Sequence, residues 1–155
     1  MTVKTLMTRV AAALLVLLFA ACASTPQASP EKDAEAKTFL THPNAATIYV
    51  YRSPFNHLGE DTNLYLDGRL IGSTLPGAYF RIDAVPGRHV LHGNGIDLGK
   101  FELDARPGRL YFVSLAVIGG HSQFELVPDS VARQEVRACC ALLENWWPGQ
   151  RPFIR

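Results

Sequence analysis

Apolar and polar positions alternate along the chain from residue 46 to residue 127. Ile48 and Val50 alternate with tyrosines, and Phe80 and Ile82 alternate with charged residues. A period of two directs one set of side chains to a core face and the other set to the opposite face. The pattern therefore predicts half-buried antiparallel strands. We expect eight of them, over residues 46–53, 62–67, 70–75, 78–84, 87–93, 98–105, 108–117 and 122–127.

The breaks between these strands have the residues that tight turns require. Asp67-Gly68 predicts a two-residue hairpin, because both residues tolerate positive φ. Proline followed by glycine fits a type II turn and occurs at Pro76-Gly77, Pro86-Gly87 and Pro107-Gly108. Short strands with turns about every ten residues predict a β-sandwich, here over residues 46–128.

After Pro128 the apolar spacing becomes helical. A helix over residues 129–147 is expected, with Asp129 or Ser130 as its cap. Its apolar positions are Val131, Val136, Cys140 and Leu143. An amphipathic helix must bury this stripe against the sandwich, and residues 148–155 then form a tail. The predicted fold is mainly β, an antiparallel β-sandwich of seven to eight strands with one C-terminal amphipathic α-helix.

Residues 22–45 contain many Pro, Ala, Ser and charged residues and few branched apolar ones. Such a composition does not bury enough surface to fold alone. We expect a flexible tether, spanning roughly 27 Å root-mean-square for residues 23–45.

The start of the chain is typical of a secretory signal. Lys4 and Arg9 precede an uninterrupted apolar run over residues 10–21. As a helix this run is about 18 Å long, whereas a bilayer core needs roughly 30 Å. We therefore expect residues 1–21 to be a cleaved signal peptide.

The sequence Leu18-Phe19-Ala20-Ala21-Cys22 resembles the lipobox of bacterial lipoproteins, although that family prefers Leu where Phe19 stands. The resemblance implies cleavage before Cys22, acylation of Cys22 with palmitate-like chains, and anchoring in membrane lipid. By the family's sorting rule, Ala23 implies export to the outer membrane, with the domain facing the periplasm. The alternative is an ordinary signal peptide followed by an incidental cysteine.

The charge balance and the cysteine count argue against several classes of function. The 155 residues include 15 Lys plus Arg and 14 Asp plus Glu, a net charge of +1. Loss of Lys4 and Arg9 with the signal would leave 13 bases and 14 acids, or −1. Nucleic-acid binding needs clustered basic residues, so no nucleic-acid partner is expected. Three cysteines are too few for a disulfide scaffold or a four-thiolate zinc site.

The predicted sandwich also resembles a known family. Val50-Tyr51-Arg52, Leu66-Asp67-Gly68, Pro86-Gly87-Arg88-His89 and Gly108-Arg109-Leu110-Tyr111-Phe112 are similar to an uncharacterised family of bacterial lipoproteins with a domain of unknown function. The middle stretch is similar to PEGA-type β-sandwich modules. The resemblance implies a fold over about residues 46–128 and brings no active site.

No motif in the sequence indicates an enzyme, a metal site or a cofactor. Ser29-Pro30-Glu31-Lys32 matches Ser-x-x-Lys but lacks the companion motifs of penicillin-binding enzymes. His89 and His92 fall on opposite faces of one strand, so they do not chelate one metal. The alternatives to a non-catalytic module are an envelope hydrolase, with His57, Asp61 and His121 assembled in three dimensions, and a purely structural envelope protein.

Two surfaces are candidates for partners. Tyr49, Tyr51, Tyr65 and Tyr79 alternate with the aliphatic core set, which predicts a tyrosine-rich face for an envelope protein or glycan. The alternatives are that Tyr simply favours strands or that the C-terminal helix covers this face. Trp146 and Trp147 with Arg151 fit a membrane interface, or they fold back and seal the domain.

Cys139 and Cys140 are neighbours in the predicted helix. Regular helix geometry excludes a disulfide between them. We expect two free thiols that pack beneath the helix, or one that pairs with another chain.

Overall fold

The computed structural model describes residues 25–55, 61–94 and 99–145, and it confirms the predicted β-sandwich. The helices are α1 (Pro30–Ala36) and α2 (Asp129–Cys139). The strands are β1 (Ala46–Arg52), β2 (Thr62–Leu66), β3 (Arg69–Thr74), β4 (Ala78–Ala84), β5 (Gly87–His92), β6 (Lys100–Ala105), β7 (Leu110–Ile118), β8 (His121–Val127) and β9 (Ala141–Leu142). Eight of these strands match the predicted ones to within two residues.

The strands form two sheets. One has the order β8-β7-β1-β4-β9 and the other β3-β2-β5-β6. β1 pairs antiparallel with β4 but parallel with β7, with Thr47 opposite Leu110, and β4 pairs parallel with β9. The expectation of a wholly antiparallel sandwich is therefore wrong at two pairings. Between β1 and β7 the chain crosses to the other sheet twice and returns once through β4, which runs antiparallel to β1, whereas β7 runs in the same direction as β1.

The main core lies between the two sheets and contains the predicted aliphatic set. Ile48, Val50, Phe80 and Ile82 are at most 2% exposed and pack against leucines of the second sheet. The Asp67-Gly68 hairpin has φ of 51° and 75°, as predicted. Local alternation and turn chemistry were enough to place these elements.

The expected flexible tether is wrong from Thr25 onward. Ser29 caps α1 by accepting a hydrogen bond from the Lys32 amide, and Ala36 and Phe39 are buried. Composition indicates only how a segment behaves in isolation, and this segment does not fold in isolation. Its few apolar side chains suffice once they pack on a sheet that is already formed.

The C-terminal helix is present but shorter than predicted. It begins after Pro128 without a side-chain cap, so the expected capping by Asp129 or Ser130 is wrong, and it ends at Cys139 rather than at residue 147. Ala132 and Val136 form its buried face, while Val131 is 46% exposed. Among the described residues, neither helix is long and apolar enough to cross a membrane.

Candidate functional site

Tyr49, Tyr51 and Tyr79 lie side by side on the outer face of the five-stranded sheet, as the alternation predicted. Each is at most 2% exposed. Tyr49 stacks on Tyr79 and on Phe112, with ring centroids 5.9 and 5.1 Å apart. These rings belong to a second core, separate from the one between the sheets.

This second core is covered by residues from both ends of the sequence. Phe39 packs edge-on against Tyr49 and Phe112, with centroids 5.3 and 5.5 Å away. Arg133 of α2 lies over the ring of Phe39, with Cζ 5.0 Å from its centroid. The prediction of a partner-binding face at Tyr49, Tyr51 and Tyr79 is therefore wrong. Alternation identifies a face but does not reveal what covers it.

The hydroxyls of the three tyrosines form hydrogen bonds to the two helices that cover this core. Tyr49 donates to the Ala36 carbonyl at 2.7 Å, Tyr51 to the Glu135 carboxylate, and Tyr79 to Asp33 Oδ1 at 2.9 Å. Burial raises the pKa of Tyr49 to about 12. Burial and the neighbouring carboxylates also raise the pKa values of Tyr51 and Tyr79. All three hydroxyls therefore stay protonated and act as donors that join the sheet to α1 and α2.

Asp33 connects three elements through one carboxylate. Besides Tyr79 of β4, it accepts from the Leu142 amide of β9 at 2.9 Å and from Lys37 Nζ, after α1, at 2.8 Å. Burial raises the pKa of Asp33, but the hydrogen bonds from Lys37, Tyr79 and Leu142 outweigh it and hold the pKa below its ordinary value. Asp33 is therefore a structural anion.

Tyr65 lies apart from the other tyrosines, on the outer face of the four-stranded sheet. It is half-buried and stacks on His92, with ring centroids 4.8 Å apart. The strand register extends this pair into a row, with Leu70 beside Tyr65 and Lys100 beside His92. Of the four predicted tyrosines, Tyr65 alone remains a candidate for contact with a partner.

His89 faces the interior, opposite to His92 on the same strand, as predicted. Its Nδ1 lies 2.6 Å from Asp67 Oδ2 and its Nε2 lies 2.7 Å from the Val85 carbonyl. Asp67 also accepts from the Val90 amide at 2.8 Å. His89 thus fastens the β2–β3 hairpin to β5.

The residues named for a hydrolase site are not joined in the part of the chain that is described. Asp61 precedes β2 and His121 opens β8, and both are exposed. No hydrogen bond or ion pair links these two described residues, and His57 lies outside the described residues. Within residues 25–55, 61–94 and 99–145, no group of three His, Cys, Asp or Glu is placed to hold a metal.

A cleft of about 420 Å³ lies between the β6–β7 turn and the start of α2, and sequence reasoning missed it. Its charges are largely matched: Arg106 lies 3.9 Å from Asp104, and Asp129 pairs with Arg133. The Tyr111 hydroxyl accepts from the Arg106 amide at 2.9 Å. The cleft joins the ends of β6, β7 and β8 and offers a polar groove without a concentrated charge.

Cys139 and Cys140 form a disulfide, so the prediction of two free thiols is wrong. The prediction assumed that both residues lie in a regular helix. Instead α2 ends at Cys139, and Cys140 is extended, with φ −126° and ψ 143°. The pair marks the point where the helix gives way to β9.

The segment before α1 pairs with the chain after β9. Gln27 and Leu143 form an antiparallel bridge, the Ala28 amide donates to Leu142 at 2.8 Å, and the Glu144 amide donates to Pro26 at 2.9 Å. We call residues 25–28 with residues 142–145 the terminal bridge. Its first residue, Thr25, is 3% exposed and accepts from the Ser73 amide of β3 at 2.8 Å. No local sequence pattern predicted this pairing.

The candidates at the two ends of the sequence, Cys22 and the set Trp146, Trp147 and Arg151, lie outside the described residues. The terminal bridge nevertheless fixes the points from which they extend. Cys22 precedes Thr25 by three residues, and Trp146 follows Asn145 directly.

The described fold defines a class of protein: a two-sheet β-sandwich with a helical cover over an inner layer of tyrosines. Sequence comparison then shows that the chain belongs to the family described as a protein of unknown function, DUF2846, which matches residues 42–126. An uncharacterised protein of Haemophilus influenzae is 26% identical over 140 residues, covering 86% of this chain and 83% of the relative. No solved structure matches.

Proposed function

We propose that this protein is a lipid-anchored lipoprotein of the cell envelope, whose sandwich is a non-catalytic binding or assembly module. The anchor is Cys22, acylated after removal of residues 1–21, and Ala23 directs the protein to the outer membrane. Two or more acyl chains hold a protein to a bilayer almost permanently, whereas one chain gives only marginal binding.

The observation that carries this proposal is the position of the terminal bridge. The first buried contact of the described residues is at Thr25, three residues after Cys22. Cleavage before Cys22 would remove none of the residues that the structure describes. The apolar run over residues 10–21 is also too short to span a bilayer core as a helix.

The surface that we propose for a protein or glycan partner is the outer face of the four-stranded sheet. Tyr65 and His92 offer stacked rings there, with Leu70 and Lys100 on either side. Aromatic rings beside polar groups suit both protein and glycan contacts. The likeness to PEGA-type modules stays a prediction, as does a purely structural role.

The anchor is tested by mass spectrometry of the purified protein and by membrane fractionation. We expect a mature chain that begins at Cys22 and carries acyl chains, and a Cys22→Ser variant that leaves the membrane fraction. Ser24→Ala is the matched control and should remain bound, while Ala23→Asp should move the protein to the inner membrane. An unmodified Cys22 thiol, or a mature chain that begins elsewhere, would refute the anchor.

A further inference from the structure

The two described sheets have four edge strands, β8 and β9 in one and β3 and β6 in the other. Edge strands are commonly protected from further pairing by charge, irregularity, shortness or a covering segment. β9 is two residues long and leads into the terminal bridge. β3 has a register shift against β2, and its Ser73 amide is bonded to Thr25. β6 has a charged side chain at every second position, Lys100, Glu102 and Asp104.

β8 lacks these protective features. It is seven residues long, contains neither proline nor lysine, and keeps an unbroken register with β7. A turn of two glycines with positive φ joins Ile118 to His121. The residues that close such a hairpin bond to each other, and the bonding then alternates along the antiparallel pair. The backbone amides and carbonyls of Phe124 and Leu126 therefore point away from β7, towards the open side of β8.

The side chains of β8 indicate that a neighbouring strand would fit there. Leu126 lies in the core-facing phase, opposite the fully buried Val113, yet Leu126 is 50% exposed. Phe124 is partly buried and contacts Phe101 of β6, with ring centroids 6.5 Å apart. Among the described strands, none lies on the far side of β8. A strand added at this edge would cover Leu126 and extend the core.

We propose that β8 pairs antiparallel with β8 of a second copy of this chain, so that two five-stranded sheets join into one sheet of ten strands. The pairing has a two-fold axis at Phe124, which lies opposite Phe124 of the second copy. Leu126 then lies opposite Ser122 of the second copy. Gln123 lies opposite Glu125 of the second copy, on the other face of the sheet.

The charges and the length of β8 select this register. An axis at Glu125 would place two carboxylates directly opposite each other, which destabilises a strand pair. An axis at Gln123 would leave Leu126 opposite the glycine turn of the second copy. An axis at Phe124 opposes no like charges and forms a cross-strand aromatic pair, which is a stabilising contact. β8 is therefore complementary to itself, which favours a second copy over a strand of another protein.

This inference does not depend on acylation of Cys22. It also leaves the proposed partner surface at Tyr65 and His92 accessible, because those residues lie on the outer face of the other sheet. Pairing through one strand from each copy belongs to the small and weak class of interfaces. We therefore expect a monomer–dimer equilibrium that depends on protein concentration.

Disulfide crosslinking tests the register. Full-length Gln123→Cys and Glu125→Cys chains are purified separately, mixed, and oxidised with copper-phenanthroline. Directly opposed residues of this type have Cα atoms about 4.5 Å apart, within the range of a disulfide. Two cysteines at position 123, or two at position 125, would be diagonal neighbours about 7–8 Å apart, too far for a disulfide. We expect at least about tenfold more disulfide-linked dimer from the mixture than from either variant alone. The wild-type chain, treated identically, measures crosslinking through the other cysteines.

Exchanging charges tests the same interface without cysteines. Gln123 and Glu125 are both exposed, so substitutions there should leave the melting temperature unchanged. Gln123→Glu opposes like charges twice across the two-fold axis and should weaken dimerisation about fivefold, measured by sedimentation of the full-length protein. The matched control combines Gln123→Glu with Glu125→Gln, which keeps the wild-type charge and should restore the dimer.

The outcomes separate this dimer from its alternatives. A wild-type protein that sediments as a monomer at every concentration overturns the proposal. Dimers that resist Gln123→Glu, or mixed chains that crosslink no better than single variants, show that the copies meet elsewhere and also overturn it. Crosslinks from position 123 or 125 only to a different protein would assign the β8 edge to another partner and refute the pairing of two copies.

Discussion

At the scale of the residue, the sequence did not indicate which tyrosines are buried and which are accessible. Its ring packs as an apolar group, and its single hydroxyl needs one partner. Tyr49 and Tyr65 occupy the same alternating phase, yet Tyr49 lies beneath Phe39 while Tyr65 is half-buried on the other sheet. The difference depends on which segments cover each sheet.

The two tyrosines should respond differently to truncation. Tyr49→Ala empties a fully buried site and should lower the free energy of unfolding by about 3–5 kcal/mol. Tyr65→Ala should lower the free energy of unfolding by only about 1 kcal/mol, since it loses mainly the stacking on His92. The same variant should crosslink to less of its partner in cells than the wild type does. Urea denaturation measures both losses, and equal losses would contradict the assignment of Tyr49 to a core.

Because of Asp33, the free energy of unfolding should decrease at low pH. Its carboxyl has a lower pKa in the folded protein than in the unfolded chain. Its contribution is therefore fully present above the unfolded pKa of about 3.9 and is lost as pH falls through the lower folded value. Asp33→Ala removes the acceptor for Tyr79 and Leu142 and should cost about 1–3 kcal/mol near neutral pH.

Asp33→Asn is the control for this pH dependence. Its Oδ1 can still accept from Tyr79 and Leu142, but the side chain does not titrate. The variant should lose less stability than Asp33→Ala, and its unfolding free energy should fall less steeply below pH 4 than that of the wild type. If the free energy of unfolding fell equally with pH in the wild type and in Asp33→Asn, protonation of this carboxylate would not contribute to acid sensitivity.

At the scale of the element, the strands could be predicted from the sequence, but the segments that pack over them, α1 and the terminal bridge, could not. Alternation and turn residues are local, so eight strands could be placed to within two residues. α1 and the terminal bridge depend on partners more than a hundred residues away, such as Glu144 for Lys32, whose Nζ and Oε1 lie 2.6 Å apart. The seven residues of α1 would be marginal alone, because helix nucleation is costly.

The terminal bridge should open when one hydrogen bond is removed. Ala28→Pro deletes the amide that donates to Leu142. Loss of this bond should accelerate hydrogen exchange at the Glu144 amide by about tenfold, through local opening. Gln27→Pro is the matched control, because the bonds across the bridge use the Ala28 amide and the Pro26 carbonyl. Equal exchange rates in the two variants would show that the bridge is not held by this bond.

At the scale of the whole molecule, the sandwich could be predicted and the direction of two strand pairings could not. Ile48 and Val50 identify β1 as a core strand, but nothing near them in sequence indicates that β7 pairs beside it. The accessibility of the candidate site could not be predicted either, because it depends on segments distant in sequence. Tyr65 lies on an accessible face and Tyr49 does not, because of Phe39 and Arg133, which come from either end of the described chain.

The central position of β1 also constrains when the protein can fold. β1 is the first of the described strands to leave the ribosome, yet one of its two neighbours is β7, and the terminal bridge forms only once Leu143 has been made. Pairings so distant in sequence form slowly, since a long loop must close before they stabilise anything. During synthesis the five-stranded sheet and the terminal bridge therefore cannot be completed until nearly all of the described chain has left the ribosome.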